Sequence, residues 1–368
     1  MKKIKVCHVV CGLKAGGVES MIYNYCSHLD NRNYDWYLLY QHKPAEKNLK
    51  EFGKIGFKMS RISSKSKHPI KNYKETKKYL KVNKIDVVHC HMTLMNFIPL
   101  LAAKRLGIKT RICHSHNADV RKRNFIIKII QKIIKNLNIR LSTDLVACGK
   151  DAGNYMYGNK KYTIINNAMD LEKYMFNKQK RNEMRKKYDI GEEKIVIGHI
   201  GRFTKQKNHE FIIYLFQKLL HKNKNFILFL VGNGEEQDKI KNIVREKHLE
   251  DKVIFAGIID NTFEIYNLFD IFILPSLYEG MPVVSIEAQL SGLYCIFSSN
   301  IDEEALINTG KVKMLDLDLE IWKENILEII NDKNLSDREV VKKQFIDKGL
   351  DIVNETQKLE KIYRGEIE

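Results

Sequence analysis

The sequence predicts an α/β protein with two similar, Rossmann-like domains that face a cleft, followed by a helical tail at the C-terminus. Three observations lead to this fold class. The chain has 368 residues, which exceeds one compact core and suits two domains. Apolar strands alternate with amphipathic helices in the first half, which is typical of a parallel sheet covered on both faces. The same alternation starts again after a polar link at residues 168–191.

The first half predicts six strands with helices between most of them. Its first helix is predicted over Val18–Leu29, because apolar residues recur every three or four positions and share one face. The predicted strands are Ile4–Val10, Asp35–Tyr40, Asp86–His89, Lys109–His114, Asp144–Ala147 and Tyr162–Ile165. We therefore expect a first domain over residues 1–170.

The second half repeats this order with five strands and a helix at His209–Leu220. The predicted strands are Lys194–Ile200, Asn225–Val231, Lys252–Phe255, Ile271–Pro275 and Leu293–Ser298. The tail, Ser336–Glu368, is polar with helical spacing, and we assign it to a second domain over residues 171–368. Parallel sheets bind ligands at the carboxyl ends of their strands, so we expect site residues in the loops that follow the strands.

The composition is that of a globular cytoplasmic protein. Hydrophobic residues make up 44% of the chain and charged residues 29%. No apolar run approaches the ~20 residues of a membrane span, and the N-terminal MKKIKVCHVV lacks the apolar core of a signal peptide. The seven cysteines form no C-x-x-C motif, which indicates reduced thiols and agrees with a cytoplasmic location.

Charge is distributed unevenly along the chain. Residues 1–170 hold 33 Lys+Arg against 11 Asp+Glu, a net charge of +22, whereas residues 171–368 hold 30 against 34, a net charge of −4. Such asymmetry predicts that one domain meets an anionic surface, either lipid or nucleic acid. An AT-rich genome, which raises the lysine content of its proteins, is the alternative explanation, but it does not by itself account for the neutral second half.

Two motifs that follow predicted strands suit an anionic ligand. Gly16 and Gly17 precede the first helix, where glycine permits close backbone approach and the helix N-terminus offers free N–H groups. Their spacing from Gly12 does not match G-x-G-x-x-G, and a tight turn without a ligand explains the motif equally well. Arg202 and Lys207 lie in one strand-to-helix loop and suit a diphosphate, although a solvated lysine-rich loop has the same pattern.

The segment LPSLYEGMPVVSIEAQLSG carries two glutamates, Glu279 and Glu287, in an otherwise almost uncharged stretch. Carboxylates at a helix entrance can accept hydrogen bonds from several sugar hydroxyls. The residues between them offer backbone N–H groups to a phosphate. A solvated helix also carries glutamates, but unpaired carboxylates among apolar residues usually have a function.

These motifs together resemble glycosyltransferase family four, whose members have the GT-B fold and act with retention of configuration. The spacing Glu279…Glu287 is similar to the E-x7-E signature of that family, and Arg202 with Lys207 to its phosphate-binding pair. VGNGEE, which contains Gly232 and Gly234, is similar to its second-domain glycine turn, and Gly16-Gly17-Val18-Glu19 to its N-terminal loop. The segment HSHN at 114–117 resembles the subgroup that builds capsular polysaccharides and exopolysaccharides.

The resemblance implies a role for each matching residue. Glu287 would hold the ribose hydroxyls, Glu279 would contact the donor sugar, and Arg202 with Lys207 would neutralise the leaving diphosphate. The substrate would also be bound by backbone around Gly16, Gly17, Gly232, Gly234, Gly280, Met281, Pro282 and Val283. Residues 281–284 differ from the aromatic-glycine pair often found there, which leaves the sugar open. The resemblance also favours a UDP-linked donor, with GDP and ADP as alternatives.

Four histidines follow two predicted strands, in HCHM at 89–92 and in HSHN. The resemblance implies that a histidine after the second of these strands contacts the donor sugar; His114 matches that place best, and His116 is the alternative. Zinc is the competing interpretation, but no cysteine or acidic residue has ligand spacing, so we expect no bound metal and no cofactor. His89 fits a packed histidine. Asp316 and Asp318 resemble a D-x-D metal motif, but we expect them to cap a helix.

The segment VRKRNFIIKIIQKIIKNLNIRL at 120–141 predicts a basic amphipathic helix. Apolar residues lie on one face, and Lys128, Lys132 and Lys135 lie on another. Alone, this pattern favours a helix that covers the sheet and solvates its basic side. Together with the charge of the first half, it predicts peripheral binding to the anionic inner face of the cell membrane.

We expect a retaining, metal-independent glycosyltransferase that moves a sugar from a nucleotide-sugar to a glycan or lipid-linked acceptor in cell-surface polysaccharide synthesis. A sugar-nucleotide epimerase or hydrolase on a related fold is the first alternative. A nucleic-acid binder, or a base glucosylase, is the second, and it lacks any recognisable nucleic-acid-binding signature. We therefore expect no nucleic-acid partner.

Overall fold

The computed structural model describes residues 2–13, 16–116, 124–259, 261–307, 309–332, 335–340 and 342–366. The chain divides into two compact units, one of residues 1–170 with 349–368 and the other of residues 171–348. Each unit is built on one parallel sheet. The predicted α/β class with two Rossmann-like domains is therefore confirmed.

The first unit has a seven-stranded parallel sheet with helices between its strands. The strands are β1 (Ile4–Val9), β2 (Tyr34–Tyr40), β3 (Lys58–Arg61), β4 (Val87–Cys90), β5 (Thr110–Ser115), β6 (Asp144–Ala147) and β7 (Thr163–Ile164). The helices are α1 (Gly17–His28), α2 (Glu46–Lys54), α3 (Pro69–Asn83), α4 (Phe97–Arg105), α5 (Phe125–Leu141) and α6 (Lys150–Tyr157). The strand order β3-β2-β1-β4-β5-β6-β7 places β1 beside β4, and β4 beside β5.

Apolar clusters cover both faces of this sheet. Along β1, Val6 belongs to one buried cluster, and Cys7 and Val9 belong to the other. Successive side chains of a strand point to opposite faces, so a continuous apolar strand requires a core on each side. His8 is 1% exposed and shares the face of Val6.

The second unit has a six-stranded parallel sheet. Its strands are β8 (Ile195–Ile200), β9 (Phe226–Val231), β10 (Val253–Gly257), β11 (Ile271–Leu274), β12 (Tyr294–Ser298) and β13 (Val312–Leu315), in the order β10-β9-β8-β11-β12-β13. Its helices are α7 (Leu171–Tyr174), α8 (Lys178–Lys187), α9 (His209–Leu220), α10 (Gln237–Glu246), α11 (Thr262–Ile265), α12 (Val283–Leu290), α13 (Leu319–Ile330) and α14 (Lys342–Asp347). Buried apolar clusters lie on both of its faces as well.

The end of the chain corrects the predicted domain assignment. The helix α15 (Ile352–Arg364) buries Ile352, Leu359 and Tyr363 in the core of the first unit. An isolated parallel bridge between Met169 and Asp351 joins the two segments of that unit. The tail is helical as predicted, but residues 349–366 belong to the first unit, because the apolar face of α15 is buried there. The first boundary lies at residue 170, as expected.

Candidate functional site

In the second unit, three predicted motifs follow adjacent strands. Arg202 comes two residues after β8, Gly232 directly after β9, and Glu279 five residues after β11. These three strands are neighbours in the sheet, and their carboxyl ends share one edge. The sheet therefore brings together motifs that are up to 77 residues apart in the sequence.

The central contact of this edge is an ion pair between Lys207 and Glu279. Both side chains are largely buried, with 14% and 12% of their surface exposed. The hydroxyl of Ser276 donates to Oε1 of Glu279 over 3.0 Å. An ion pair shielded from water is stronger than a surface pair, so the two side chains hold each other in place. The sequence analysis assigned both residues to the site without predicting their contact.

Backbone hydrogen bonds fix the two loops that carry this pair. The N–H of Leu277 donates to the carbonyl of Gln206 over 2.8 Å, and the amide side chain of Gln206 donates to the carbonyl of Tyr278 over 2.9 Å. On its other side, Glu279 forms an isolated bridge with Ile301. The loop after β8 and the loop after β11 are therefore held together, and Lys207 and Glu279 need little reorganisation to act together.

Arg202 differs from Lys207 because it is exposed and, among the described residues, no carboxylate lies within ion-pair distance. Close packing of backbone positions its loop. A Cβ at Gly232 would lie 2.1 Å from the carbonyl oxygen of Gly201, and a Cβ at Gly234 would lie 2.3 Å from that of Phe203. These glycines are therefore required by the loop packing beside Arg202, which is an indirect contribution to a ligand site.

Glu287 lies inside helix α12 and is 7% exposed. The Tyr174 hydroxyl donates to its Oε1 over 2.8 Å, and the Tyr266 hydroxyl donates to its Oε2 over 2.7 Å. Burial raises the pKa of Glu287 above its ordinary value, while the two tyrosine hydrogen bonds act in the opposite direction. Sequence reasoning found Glu287 but not the two tyrosines, which no local pattern connects to it.

The segment between the glutamates leads into α12. Gly280 is exposed, Met281 is partly buried, Pro282 is buried, and the helix begins at Val283 without a side-chain cap. The N–H groups of a first helical turn have no partner within the helix, so this end can donate to an anion. A Cβ at Gly280 would meet no atom within 4 Å, so the fold itself does not require glycine there.

In the first unit, the predicted histidines gather on one face of the sheet with a fifth, His8. Register pairs His8 with His89 across β1 and β4, and His91 and His116 continue the face beyond the strand ends. His114 is fully buried, whereas His116 is partly exposed. The packed interpretation of His89, which is 0% exposed, is confirmed.

Hydrogen bonds join these rings directly. His8 Nδ1 lies 3.0 Å from His91 Nε2, and His91 Nδ1 lies 2.8 Å from His116 Nε2. His89 Nε2 lies 3.0 Å from His114 Nδ1. Burial lowers the pKa of His8 to about 3 and that of His116 to about 4. Burial, with the neighbouring rings, also holds the pKa values of the other three well below 6.5, so the cluster is neutral.

Two overlapping groups in this cluster have ligand atoms close enough to surround a metal ion. One group is His8, His89 and His91, and the other is His91, His114 and His116. Most of the facing ring nitrogens, however, lie at hydrogen-bond distance from one another, so in each pair one nitrogen donates its hydrogen to the other. A metal would have to replace these hydrogen bonds.

The N-terminal glycine loop is described only in part, because Lys14 and Ala15 lie outside the described residues. Gly16 is extended, with φ −170°, and precedes α1 without a side-chain cap. A Cβ at Gly17 would meet no atom within 4 Å. The described surroundings therefore do not require glycine at position 17, in contrast with Gly232 and Gly234.

Helix α5 exposes the apolar face that the sheet-covering interpretation places inside. Ile126 is 68% exposed, Ile130 49% and Ile133 62%. The helix packs on α4 and α6, and its buried residues, Asn138 and Leu141, lie near its C-terminal end. Lys128 and Lys132 are exposed, and Lys135 donates to the carbonyl of Tyr155. The predicted residues 120–123, including Arg121, Lys122 and Arg123, lie outside the described part of the chain. No helix within the described ranges is both long and apolar enough to span a membrane.

The predicted helix cap at residues 316–318 is confirmed for Asp318. Its side chain accepts hydrogen bonds from the N–H groups of Glu320 and Ile321, over 2.8 Å and 2.9 Å, at the start of α13. The hydroxyl of Ser299 donates to Asp316. Asp318 therefore caps α13 as expected, whereas the described contact of the Asp316 side chain is with Ser299 and not with the helix.

Comparison with known proteins covers nearly the whole chain. The family model "Glycosyltransferase Family 4" matches residues 15–173, and "Glycosyl transferases group 1" matches residues 180–342. The chain is 31% identical over 333 residues to the putative glycosyltransferase EpsF of Bacillus subtilis (strain 168), which spans 88% of this chain and 86% of that protein.

Two further similarities extend this finding. The UDP-Gal:alpha-D-GlcNAc-diphosphoundecaprenol alpha-1,3-galactosyltransferase of Escherichia coli is 26% identical over 302 residues, covering 78% of this chain and 77% of that enzyme. The crystal structure of Anabaena Alr3699/HepE in complex with UDP and glucose superposes with a TM-score of 0.77 at 16% identity, covering 97% of this chain and 98% of that one. At this low identity, the similarity to the HepE structure shows a shared fold.

Proposed function

Because this chain belongs to glycosyltransferase family 4, we propose that it transfers a sugar from UDP to a hydroxyl of a lipid-linked glycan at an anionic membrane surface. The resemblance drawn from the motifs is confirmed, and the chain is a nucleotide-sugar-dependent glycosyltransferase of cell-surface polysaccharide synthesis. The donor, the acceptor, the stereochemistry and the membrane are the parts that we propose.

The observation that carries the proposal is the placement of Lys207, Arg202 and Glu279 on one rigid pair of loops. A nucleoside diphosphate gains negative charge as it leaves the sugar. Fixed cations that meet this charge stabilise the transition state more than the ground state. Lys207, already held by Glu279, and Arg202, which has no described carboxylate partner, are suited to this role.

The ion pair also prepares both residues for a donor. We infer that the Lys207 ammonium group binds the diphosphate, while the sugar hydroxyls donate to Glu279. Oε1 of Glu279 already accepts from Ser276, which leaves Oε2 for a sugar hydroxyl. Because Glu279 is engaged by Lys207, we assign it sugar binding and do not assign it attack on the sugar.

We assign the ribose hydroxyls to Glu287. Its two oxygens accept from Tyr174 and Tyr266, and each carboxylate oxygen can accept a second hydrogen bond. The E. coli relative named above acts with UDP-Gal on a diphosphoundecaprenol-linked sugar, which is the support for UDP and for a lipid-linked acceptor.

For the chemical step we propose attack from the face that the diphosphate leaves. The acceptor oxygen forms the new bond to the anomeric carbon as the bond to the phosphate oxygen breaks, and the acceptor proton passes to that phosphate oxygen. This balance retains configuration and needs no separate protein nucleophile. We further propose that Arg202 and Lys207 supply the charge that a divalent metal supplies in other transferases. Full activity in EDTA is the expected result, and a loss restored by Mn²⁺ would contradict it.

The exposed apolar face of α5 supports binding to a membrane surface. Ile126, Ile130 and Ile133 can enter the acyl boundary while Lys128 and Lys132 meet anionic headgroups. An interfacial position would bring the enzyme to a lipid-linked acceptor.

Ligand-induced thermal stabilisation tests the donor assignment. Without metal, UDP and UDP-sugars are expected to raise the melting temperature, and GDP and ADP to have smaller effects. Glu287→Ala should abolish the shift. A folded protein that responds to no nucleotide would contradict the proposal, and UDP release without an acceptor would favour a hydrolase.

A further inference from the structure

Five clustered histidines of the first unit and one tyrosine of α15 form a single hydrogen-bonded path. The path runs through His114, His89, Tyr363, His8, His91 and His116. Its successive distances are 3.0 Å, 2.9 Å, 3.4 Å, 3.0 Å and 2.8 Å. The path starts at a buried nitrogen, Nε2 of His114, and ends at the partly exposed ring of His116.

Each ring in the path fixes the direction of its two hydrogen bonds relative to each other. A neutral imidazole carries one N–H and one lone pair, so a ring that accepts on one nitrogen donates from the other. The Tyr363 hydroxyl is buried, and if it accepted from both neighbours its own hydrogen would have no partner among the described residues, so it also accepts on one side and donates on the other. The whole path therefore has two arrangements, in which all hydrogens point toward His116 or all point toward His114.

The two ends of the path distinguish these arrangements. Among the described residues, Nε2 of His114 is buried and has no hydrogen-bond partner. With hydrogens pointing toward His114, this atom is an orphan N–H donor; with hydrogens pointing toward His116, it is a bare lone pair. Buried orphan N–H groups are rarer in proteins than buried acceptors without partners.

Cys26 contacts the path at His8, where its Sγ lies 3.5 Å from Nε2. Burial raises the pKa of the Cys26 thiol well above 9.0, so the thiol keeps its hydrogen. The sulfur can donate to a lone pair on Nε2 or accept weakly from an N–H there, so this contact fits either direction. With hydrogens pointing toward His116, the Tyr363 hydroxyl and the thiol are the two donors to Nε2, and His8 donates from Nδ1 toward His91.

We propose that this path fixes His116 in the tautomer with its hydrogen on Nδ1, and that Tyr363, His8 and His91 are positioning residues for sugar transfer. The proposal rests on the proposed function for the identity of the ligand. His116 then presents an N–H at the carboxyl end of the sheet, where it can donate to an oxygen of the substrate, either a sugar hydroxyl or a phosphate oxygen. It cannot act there as the base that takes the acceptor proton.

Nitrogen NMR of the full chain, labelled with ¹⁵N only in histidine, tests the tautomer without reference to activity. Two-bond correlations distinguish a protonated Nδ1 from a protonated Nε2, and His116→Gln identifies the signals by their loss. We expect His116 with its hydrogen on Nδ1. A hydrogen on Nε2 of His116 would overturn the proposal.

A double variant, Tyr363→Phe with Cys26→Ala, removes both donors to His8. We expect a mixed population of His116 tautomers, while the signals of the exposed His221 and His248 remain unchanged as a check on folding. If His116 stayed wholly in the Nδ1–H form in this variant, Tyr363 and Cys26 would not set the direction, and the proposal would fail.

Kinetics separate positioning from structure. Tyr363→Phe is expected to lower kcat about tenfold, the effect of about one lost charge-neutral hydrogen bond, with the KM for the donor unchanged. Tyr34→Phe is the matched control, because the Tyr34 hydroxyl donates to Glu360 of the same helix and stands outside the path. Equal losses in both variants would indicate helix docking alone and would contradict the positioning role. Failure of UDP to bind wild-type protein would instead contradict the proposed function.

Discussion

The two units carry opposite electrostatics at their surfaces and at their candidate sites. Assigning residues 349–368, with 3 Lys+Arg and 5 Asp+Glu, to the first unit gives it a net charge of +20 and leaves the second at −2. Yet the buried group at the strand ends of the strongly basic unit consists of neutral imidazoles. The nearly neutral unit has the ion pair of Lys207 and Glu279 there.

This contrast separates two tasks. Under the proposed function, the overall charge of the first unit would act at long range on an anionic membrane, and salt would weaken this attraction. The fixed charges of the second unit would act at contact distance on a leaving diphosphate. The neutral rings of the first unit add no net charge at its strand ends. Net charge therefore indicates where a domain binds a surface, and not where its chemistry takes place.

Acid should reveal the largest difference between the two units, because we expect the first unit to unfold at a higher pH than the second. A buried histidine with a lowered pKa stays neutral in the folded state, while the unfolded histidine gains a proton below pH 6.5, so stability falls as pH falls. From pH 6.5 to 5.5 each such ring costs about 1 kcal/mol. The first unit holds five of these rings, and the second holds His199 and His209.

The chain provides one tryptophan in each unit to measure this. Trp36 packs near His8, with ring centroids 6.2 Å apart, and Trp322 lies in the core of the second unit. Fluorescence of Trp322→Phe should report an acid transition at higher pH than that of Trp36→Phe. If the two variants showed transitions at the same pH, or if Trp36→Phe showed its transition at the higher pH, the histidines would not govern acid stability.

Lys207→Ala should have the next largest effect, on turnover. Loss of one fixed donor to a developing charge costs about 10²–10³-fold in kcat. The measurement is initial-rate kinetics at saturating donor, with the exposed neighbour Lys205→Ala as control. Wild-type turnover in Lys207→Ala would remove this residue from the phosphate site.

Membrane binding should respond to lysines of the first unit only. Lys128→Gln with Lys132→Gln removes two charges that are each worth about 1 kcal/mol near an anionic surface, so affinity for phosphatidylserine vesicles should fall about 30-fold. Lys222→Gln with Lys224→Gln removes the same charge from the exposed surface of the second unit and should change little. Sedimentation that falls equally in both pairs would point to net charge rather than to α5.

The smallest expected effect is a gain in stability at the second site. Burial raises the pKa of Glu287, so burying its charge costs the folded protein some stability. Glu287→Gln should therefore raise the melting temperature by about 2–4 °C, for about 1 kcal/mol, while the UDP-induced shift disappears. A lower melting temperature would mean that the hydrogen bonds from Tyr174 and Tyr266 outweigh the cost of burying the charge.

Most strands could be predicted because each is an apolar run between turn residues. The two that were missed, β3 and β13, end the strand order of their sheets and contain no buried residue. An edge strand half-covered on each face has no apolar run to reveal it. The interpretation of α5 as a helix that covers the sheet with its apolar face was wrong, because Ile126, Ile130 and Ile133 are exposed. Periodicity identifies an apolar face but not what covers it.

The residues of the charged group, Arg202, Lys207 and Glu279, could be named from the sequence because they lie in short motifs after strands, and their role in a ligand site stays a prediction. The histidine path was predicted in part. His8 is a single histidine within an apolar strand, and only the strand order, which sets β1 beside β4, brings it to His89. Tyr363 lies 247 residues after His116 and has no local signal. Contacts made by tertiary packing alone, such as that of Tyr266 with Glu287, require the folded structure.

The return of α15 to the first unit determines the order in which the protein can be made. Residues 171–348 are contiguous and can fold as soon as they leave the ribosome. The first unit, although it is translated first, must wait for residues 349–364 before its core closes. Throughout synthesis, a basic and partly open first unit is therefore exposed to chaperones and proteases, and a chain that stops short of Tyr363 would leave that core open.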